Sequence, residues 1–408
     1  VATLREGKKV IHEKKLRIGL RTVELIREQD ERGESFGFRV NGNAIFCKGA
    51  NWIPLDALPD RLTEEHYRLV LRSVVQANMN MLRVWGGGLY EADIFYEYCD
   101  ENGIMIWHDF MFASGPYVAN PSFLENVRSE IENVVRRRRH HPSIVLWCGN
   151  NEQESGMVSG PRWLQDYQTL TWGDYDQIFH EMVPQTAARH DPDRPYWPSS
   201  PHCPLDRERK TASSESASGD VHDWDVWHGG KSFAWFDRLS LFRFVSEFGF
   251  ESLPSMETIR SFTLAEDRFF NSYILEHHEK TGLLTREGIR TAGHNRGTSR
   301  LAQHATALFR MPSDLEDWVY ISQLMQGEGV RMGCEALRRN YPKSTGALYW
   351  QLGDNWPVVS NSSIDYYGRW KALHFMARRF FSPVMASVVV SGTEIQIWGA
   401  NDRLVSVP

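Results

Sequence analysis

Short apolar runs alternate with longer amphipathic stretches from about residue 36 to about residue 383. Eight runs have the length and bulk of buried strands: 45–52, 79–85, 104–109, 144–150, 195–200, 221–227, 244–248 and 346–352. Between them, stretches such as 64–77, 90–101, 122–139, 175–189 and 315–339 repeat apolar residues every three or four positions, the period of a helix packed on one face. Eight consecutive βα units predict an α/β fold closed as a (β/α)8 TIM barrel rather than an open doubly wound sheet. The stretch 251–312 is long for one connection and is expected to hold helices and a lid-like excursion beside the reactive face.

The ends follow another rhythm. Leu16, Ile18, Leu20, Val23 and Leu25 fall among polar partners, as in an edge strand over 15–28, and a polar hinge over 28–35 precedes the barrel. Past Pro383, strand-like alternation returns over 385–398, with Val388, Val390, Ile395 and Ile397 as the inward positions. The expected division is therefore the end of a β domain over 1–35, a catalytic barrel over 36–383 and the start of a second β domain over 384–408. The first residues lack the apolar core of a secretory signal, and the last stop inside a strand pattern, so the chain reads as a piece of a longer one.

Composition narrows the function classes. Hydrophobic residues make up 41% and charged residues 24%, and no apolar run approaches the ~20 residues that span a bilayer. A net charge of -6 gives no broad basic face for nucleic acid. Arg136 to Arg139 with His140 and His141 end an amphipathic helix, where cations suit the dipole. Cys47, Cys99, Cys148, Cys203 and Cys334 are widely spaced with no C-x-x-C pair and read as buried thiols. His277 and His278 adjoin but point to different helix faces, and Gly86 to Gly88 lack phosphate-loop spacing, so no metal or other cofactor is demanded. Asn361-Ser362-Ser363 matches the glycosylation acceptor, a tripeptide that often arises by chance.

The chemistry sits at strand ends. Trp147-Cys148-Gly149-Asn150-Asn151-Glu152 carries the fourth strand into amides and a carboxylate, at the barrel end where reactive residues gather. Apolar walls there raise a carboxyl pKa, as a general acid needs; the competing reading is a carboxylate that only starts a helix. Phe244-Val245-Ser246-Glu247-Phe248-Gly249 repeats the arrangement on the seventh strand, with a structural pair to Arg83 as the competing reading. Two such carboxyls about 5–5.5 Å apart define retaining glycoside hydrolysis.

WCGNNE and VSEFGF, with RVWGGG upstream and YWQLGDNWP downstream, resemble glycoside hydrolase family 2 and its barrel clan. The GNNE form, KGANWIPLDALPDRLT, WHDFMFA and the pair Trp227-His228 resemble β-mannosidases more than β-galactosidases or β-glucuronidases. The resemblance covers nearly the whole chain from Lys15. It implies Glu152 as acid/base, Glu247 as nucleophile, Asn151 as partner of the sugar 2-hydroxyl and Arg83 as the cation that keeps the nucleophile ionised.

Trp85 and Asp109, at the mouths of strands two and three, are further candidates for stacking on the sugar and binding its hydroxyls. Trp227 and His228 after strand six, and Trp350, Asp354 and Trp356 after strand eight, complete the set. The chain has 15 Trp; Trp52, Trp107, Trp163 and Trp370 are assigned to packing, and Trp224 to either role.

The resemblance further implies flanking remnants of immunoglobulin-like β-sandwich domains, an N-terminal sugar-binding domain that completes the pocket, and a periplasmic, secreted or lysosomal setting. The expected activity is exo-acting release of terminal β-D-mannose from oligosaccharides. The alternatives are exo-β-glucosaminidase, endo-β-mannosidase or a noncatalytic carbohydrate-binding barrel.

Overall fold

The computed structural model describes residues 1–406 except 16, 114, 160–169, 207–217, 282–283, 286–287 and 290–296. Eight parallel strands curl around one interior: β1 (Cys47–Trp52), β2 (Met81–Val84), β3 (Met105–Asp109), β4 (Ile144–Cys148), β5 (Tyr196–Trp197), β6 (Asp220–Asp223), β7 (Phe244–Phe248) and β8 (Gly346–Tyr349). Their spatial order, β5-β4-β3-β2-β1-β8-β7-β6, is chain order wrapped into a ring. All eight expected strands are present, β7 with the expected bounds and the others with shifted or trimmed ends. The largest difference is in β6, which begins at Asp220 and stops at Asp223, so that 225–229 form a turn.

Each strand divides its side chains between two cores. On β2, Met81 and Arg83 face inward while Leu82 and Val84 pack among the helices; on β3, Met105 and Trp107 face inward and Ile106 outward. The helices run as Glu64–Gln76, Asp93–Asn102, Pro121–Arg138, Val183–His190, Leu315–Arg339 and Ala372–Phe380, with shorter turns between. Their ends have local causes. Asn120 accepts the Phe123 amide ahead of Pro121, and Asp314 accepts that of Asp317. Gly103, at φ 67°, ends Asp93–Asn102 in the left-handed region. The expected helix 175–189 widens into π turns over Asp176–Met182, just ahead of Pro184, which has no N–H to donate.

A three-stranded antiparallel sheet, Val23–Ile26 with Gly37–Val40 and Asn43–Ile45, closes the end of the barrel remote from the strand C-termini. Phe36 enters that end, its ring centroid 4.7 Å from Trp197, 5.4 Å from Phe244 and 5.8 Å from Trp107. The edge strand expected over 15–28 is thus confined to Val23–Ile26 and pairs across the hinge. The hinge itself is the small hairpin Gln29–Asp30 with Gly33–Glu34.

The C-terminal alternation forms a hairpin, Val384–Ser391 with Glu394–Asn401. Its parity is one residue off the expectation. Met385 and Ser387 are buried, while Val388, Val390, Ile395 and Ile397 are exposed. Ser387 fixes that parity: its hydroxyl lies 2.6 Å from Glu335 and 2.7 Å from Arg339 on the long helix.

Within 251–312 the described α-helices are Met256–Arg260, Tyr273–His277 and Thr298–Leu308, with a 3-10 turn at Ala265–Asp267. Trp163 lies outside the described residues. The basic helix end is solvated at Arg136, Arg137, Arg139 and His140, while buried Arg138 binds Asp93 and covers the Tyr96 ring, and His141 lies 2.7 Å from Asp100. The five cysteines are free, and all but Cys203 are buried. Asn361 is buried, which removes the accessible loop that glycosylation requires. Among the described residues, no helix is long and apolar enough to cross a membrane.

Candidate active site

The inward parity of β2 puts Arg83 at the centre of the C-terminal mouth, fully buried. Its Nη1 donates to Asn51 Oδ1 at 2.8 Å and Glu247 Oε1 at 2.5 Å; its Nη2 donates to Asp109 Oδ2 and Asn151 Oδ1, both at 2.7 Å. Burial alone would favour loss of the Arg83 proton, but the Asp109 and Glu247 carboxylates hold its pKa above the ordinary arginine value. Four strands or their extensions thus meet a fifth, β2, through one guanidinium.

Glu247 reaches the mouth from β7, in register with His222 on β6, where the ladder shifts between Val221 and His222. His222 Nδ1 lies 3.5 Å from Glu247 Oε2 and 2.7 Å from Glu152 Oε1. Burial raises the Glu247 pKa, against the opposing effects of His222 and Arg83. Burial lowers the His222 pKa to about 4, so its imidazole is neutral at pH 7.

Glu152 follows β4 through Gly149, where an added Cβ would stand 2.2 Å from Pro198 O, so the two mouth segments approach too closely for any other residue. Asn151 N bonds Phe112 O and Glu152 N bonds Ser200 O, both at 2.8 Å, lashing the segment to the neighbouring strand extensions. Glu152 itself has φ 61°, a conformation costly for a residue with a Cβ, and its carboxyl turns inward to His222. The helix Gln153–Ser159 starts after it and takes its backbone carbonyl, not its carboxyl. Burial raises the Glu152 pKa to about 7, with Arg83 and an Asn151 hydrogen bond opposing. Asn151 Oδ1 is held by Arg83, which orients the amide N–H toward the same carboxyl.

The other expected residues divide. Trp85 and Trp350 stand half-buried as an edge-to-face pair with centroids 5.1 Å apart. His228 is exposed beside Trp224, their rings 5.1 Å apart. Asp109, expected to bind sugar hydroxyls, is fully buried and spent on Arg83, Trp107 Nε1 and Gly86 N. Trp227, expected beside the sugar, is fully buried edge-on against Phe250, because β6 ends before it. Asp354 is likewise buried, accepting from Ser360 and Ser362 and holding the loop after β8. Trp356 stacks on His278 at 4.5 Å.

Sequence reading missed His222, Asn51, Ser200 and Asp220. His222 had the same signal as the two glutamates, a polar side chain at a strand end. Extending β6 to 227 shifted attention to Trp227 and His228 instead.

Glu152, His222 and Glu247 place one ligand-type atom each within 4.8 Å of one another. No local spacing in the sequence announces this trio, since the strands β4, β6 and β7 bring it together. The 2.7 Å from His222 to Glu152 is a hydrogen-bond length, shorter than the ~3.3 Å between two ligands of a tetrahedral zinc. A shared proton fits this gap.

No family model matches the chain. It is 37% identical to a β-mannosidase of Capra hircus over 417 residues, covering 96% of this chain and 45% of that protein. A β-mannosidase B of Neosartorya fischeri is 37% identical over 400 residues, covering 95% of this chain and 45% of that one. The crystal structure of a β-D-mannosidase from Dictyoglomus thermophilum superposes with a TM-score of 0.87 at 40% identity, over 98% of this chain and 46% of the other. The chain spans about 45% of the length of the curated relatives it matches.

Proposed function

Because this chain is a β-mannosidase homologue with a glycosidase barrel of the glycoside hydrolase family 2 type, we propose that it is the catalytic barrel of a retaining exo-β-mannosidase. The longer protein removes terminal non-reducing β-D-mannose from oligosaccharides through a covalent glycosyl-enzyme, and an N-terminal sugar-binding domain completes its pocket. One observation carries the reading. A carboxyl that holds its proton to about pH 7 and a carboxylate anchored on a guanidinium have oxygens within 4.8 Å of each other at one barrel mouth.

That spacing suits direct attack by one carboxylate and leaves no room for the water that an inverting pair separates to about 6.5–9.5 Å. Glu247 attacks the anomeric carbon while Glu152 gives its proton to the departing glycosidic oxygen. Water then enters, Glu152 takes its proton, and the new hydroxyl displaces Glu247 from the sugar. Arg83 keeps Glu247 anionic before attack and stabilises it on departure. The Asn151 amide faces the 2-hydroxyl, and Trp85 with Trp350 offers apolar ring surface to the sugar.

The test is a panel of 4-nitrophenyl β-glycosides with the full-length protein, alongside Glu247→Ala with and without azide. Turnover of the β-mannoside, its loss in the variant and rescue by azide as α-mannosyl azide are expected. Turnover of another β-glycoside alone would keep the mechanism and discard the specificity.

A further inference from the structure

We propose that Asp220 and Ser200 fix the proton of His222 on its outer nitrogen, so that the imidazole accepts the Glu152 proton and keeps this carboxyl a donor. The inference rests on the reading of Glu152 as acid/base, and it assigns positioning roles to three residues that touch no substrate.

Asp220 begins β6 and is fully buried. Its Oδ1 accepts from Trp197 Nε1 at 2.8 Å and His202 N at 3.0 Å; its Oδ2 accepts from Ser200 Oγ at 2.7 Å and Ser246 Oγ at 2.5 Å. All four hydrogen bonds run toward this carboxyl group, two on each oxygen, the arrangement of a carboxylate surrounded by donors. Ser200 has one hydroxyl proton. A charge-assisted bond to Asp220 outcompetes a neutral one to an imidazole, so that proton goes to Asp220. Ser246, 3.4 Å from Ser200, also donates to Asp220 and cannot reverse this.

Ser200 Oγ therefore offers lone pairs to His222 Nε2, 3.0 Å away, and the imidazole must donate there. A neutral imidazole has one N–H, which leaves Nδ1 bare. At 2.7 Å from that lone pair, Glu152 Oε1 supplies the proton. Burial opposes a second imidazole proton and outweighs the pull of the Glu247 and Asp220 carboxylates, and the Arg83 cation opposes it too. The bare Nδ1 has nothing to donate to Glu247 Oε2, 3.5 Å away, which stays an unencumbered nucleophile while Oε1 rests on Arg83.

Protons balance through the cycle. The Glu152 O–H breaks as the leaving-group O–H forms; the ionised carboxyl then faces a lone pair, which favours taking a proton back from the attacking water. His222 keeps its own proton throughout.

The experiment is the pH profile of kcat/KM for full-length parent, Ser200→Ala and Ser200→Thr, on 4-nitrophenyl and 2,4-dinitrophenyl β-D-mannosides. In Ser200→Ala the imidazole is free to carry its proton on Nδ1 and donate to a carboxylate. Its basic limb is expected about one unit lower on the nitrophenyl substrate, a loss of about tenfold above that limb. The dinitrophenyl substrate, whose leaving group departs without a proton, keeps its kcat/KM, and Ser200→Thr restores the parent profile.

A basic limb unchanged in Ser200→Ala, or equal losses on both substrates, would overturn the proposal. Nitrogen-15 NMR of histidine-labelled parent, with His222 assigned from His222→Asn, decides it without turnover or a folded Ser200→Ala. Protonated Nε2 with bare Nδ1 supports the proposal, and protonated Nδ1 refutes it. A parent inert on both mannosides with protonated Nε2 would remove the substrate reading and leave the proton arrangement standing.

Discussion

Glu152 combines a left-handed backbone, φ 61°, with a largely but not fully buried carboxyl whose pKa is raised to about 7. Such a group couples catalysis to stability. From the ordinary value of 4.5 up to about 7 the folded chain keeps a proton that the unfolded chain has lost, so this group's contribution to stability falls as pH rises through that window. Glu152→Gln removes the titration. Its denaturation midpoint should gain on the parent from pH 4.5 to 7 and keep a constant margin above; urea melts across that range check this, and a constant margin throughout would contradict it. Both catalytic candidates were legible because an apolar strand ran straight into a carboxylate. Asp109 was legible as a strand-end acid but not as the support of Arg83, since that depends on depth below the mouth. His222 was hidden by one element boundary placed too late.

At the scale of elements, the barrel floor is built by aromatic residues that precede β1. Phe36 meets Trp107, Trp197 and Phe244 and is buried beneath them, well separated along the strands from Glu152 and Glu247. Phe36→Ala is expected to cost about 3–5 kcal/mol of stability through the cavity it leaves. Chemical denaturation reads that loss, and the pH profile of the folded variant should match the parent's; a loss under about 1 kcal/mol would mean the floor collapses to refill the space. Strand and helix positions were legible because burial on both faces imposes long apolar runs and burial on one imposes a helical period. The C-terminal hairpin was read in the wrong parity because its buried face carries Ser387, whose partners Glu335 and Arg339 are distant in sequence.

Across the whole molecule, the ring of strands is joined by backbone ladders from β5 round to β6, and among the described residues an isolated antiparallel bridge between His202 and Asp220, together with side chains, spans the remaining gap. Asp220 on β6 binds Trp197 on β5, and Ser200 and His202 just beyond it. The same carboxylate thus fastens the sheet and, through Ser200 and His222, faces Glu152. The eight-fold alternation made the barrel legible, but this closure was not, because nothing in the local pattern of Asp220 distinguishes a bridging acid from a solvent-facing one. The central claim is that Glu247 attacks sugar carbon directly while Glu152, within 4.8 Å, serves first as acid and then as base. Proton NMR of the sugar first released from 4-nitrophenyl β-D-mannoside by the full-length protein, recorded before mutarotation, tests it most directly. The account predicts β-mannose; first-formed α-mannose would contradict it.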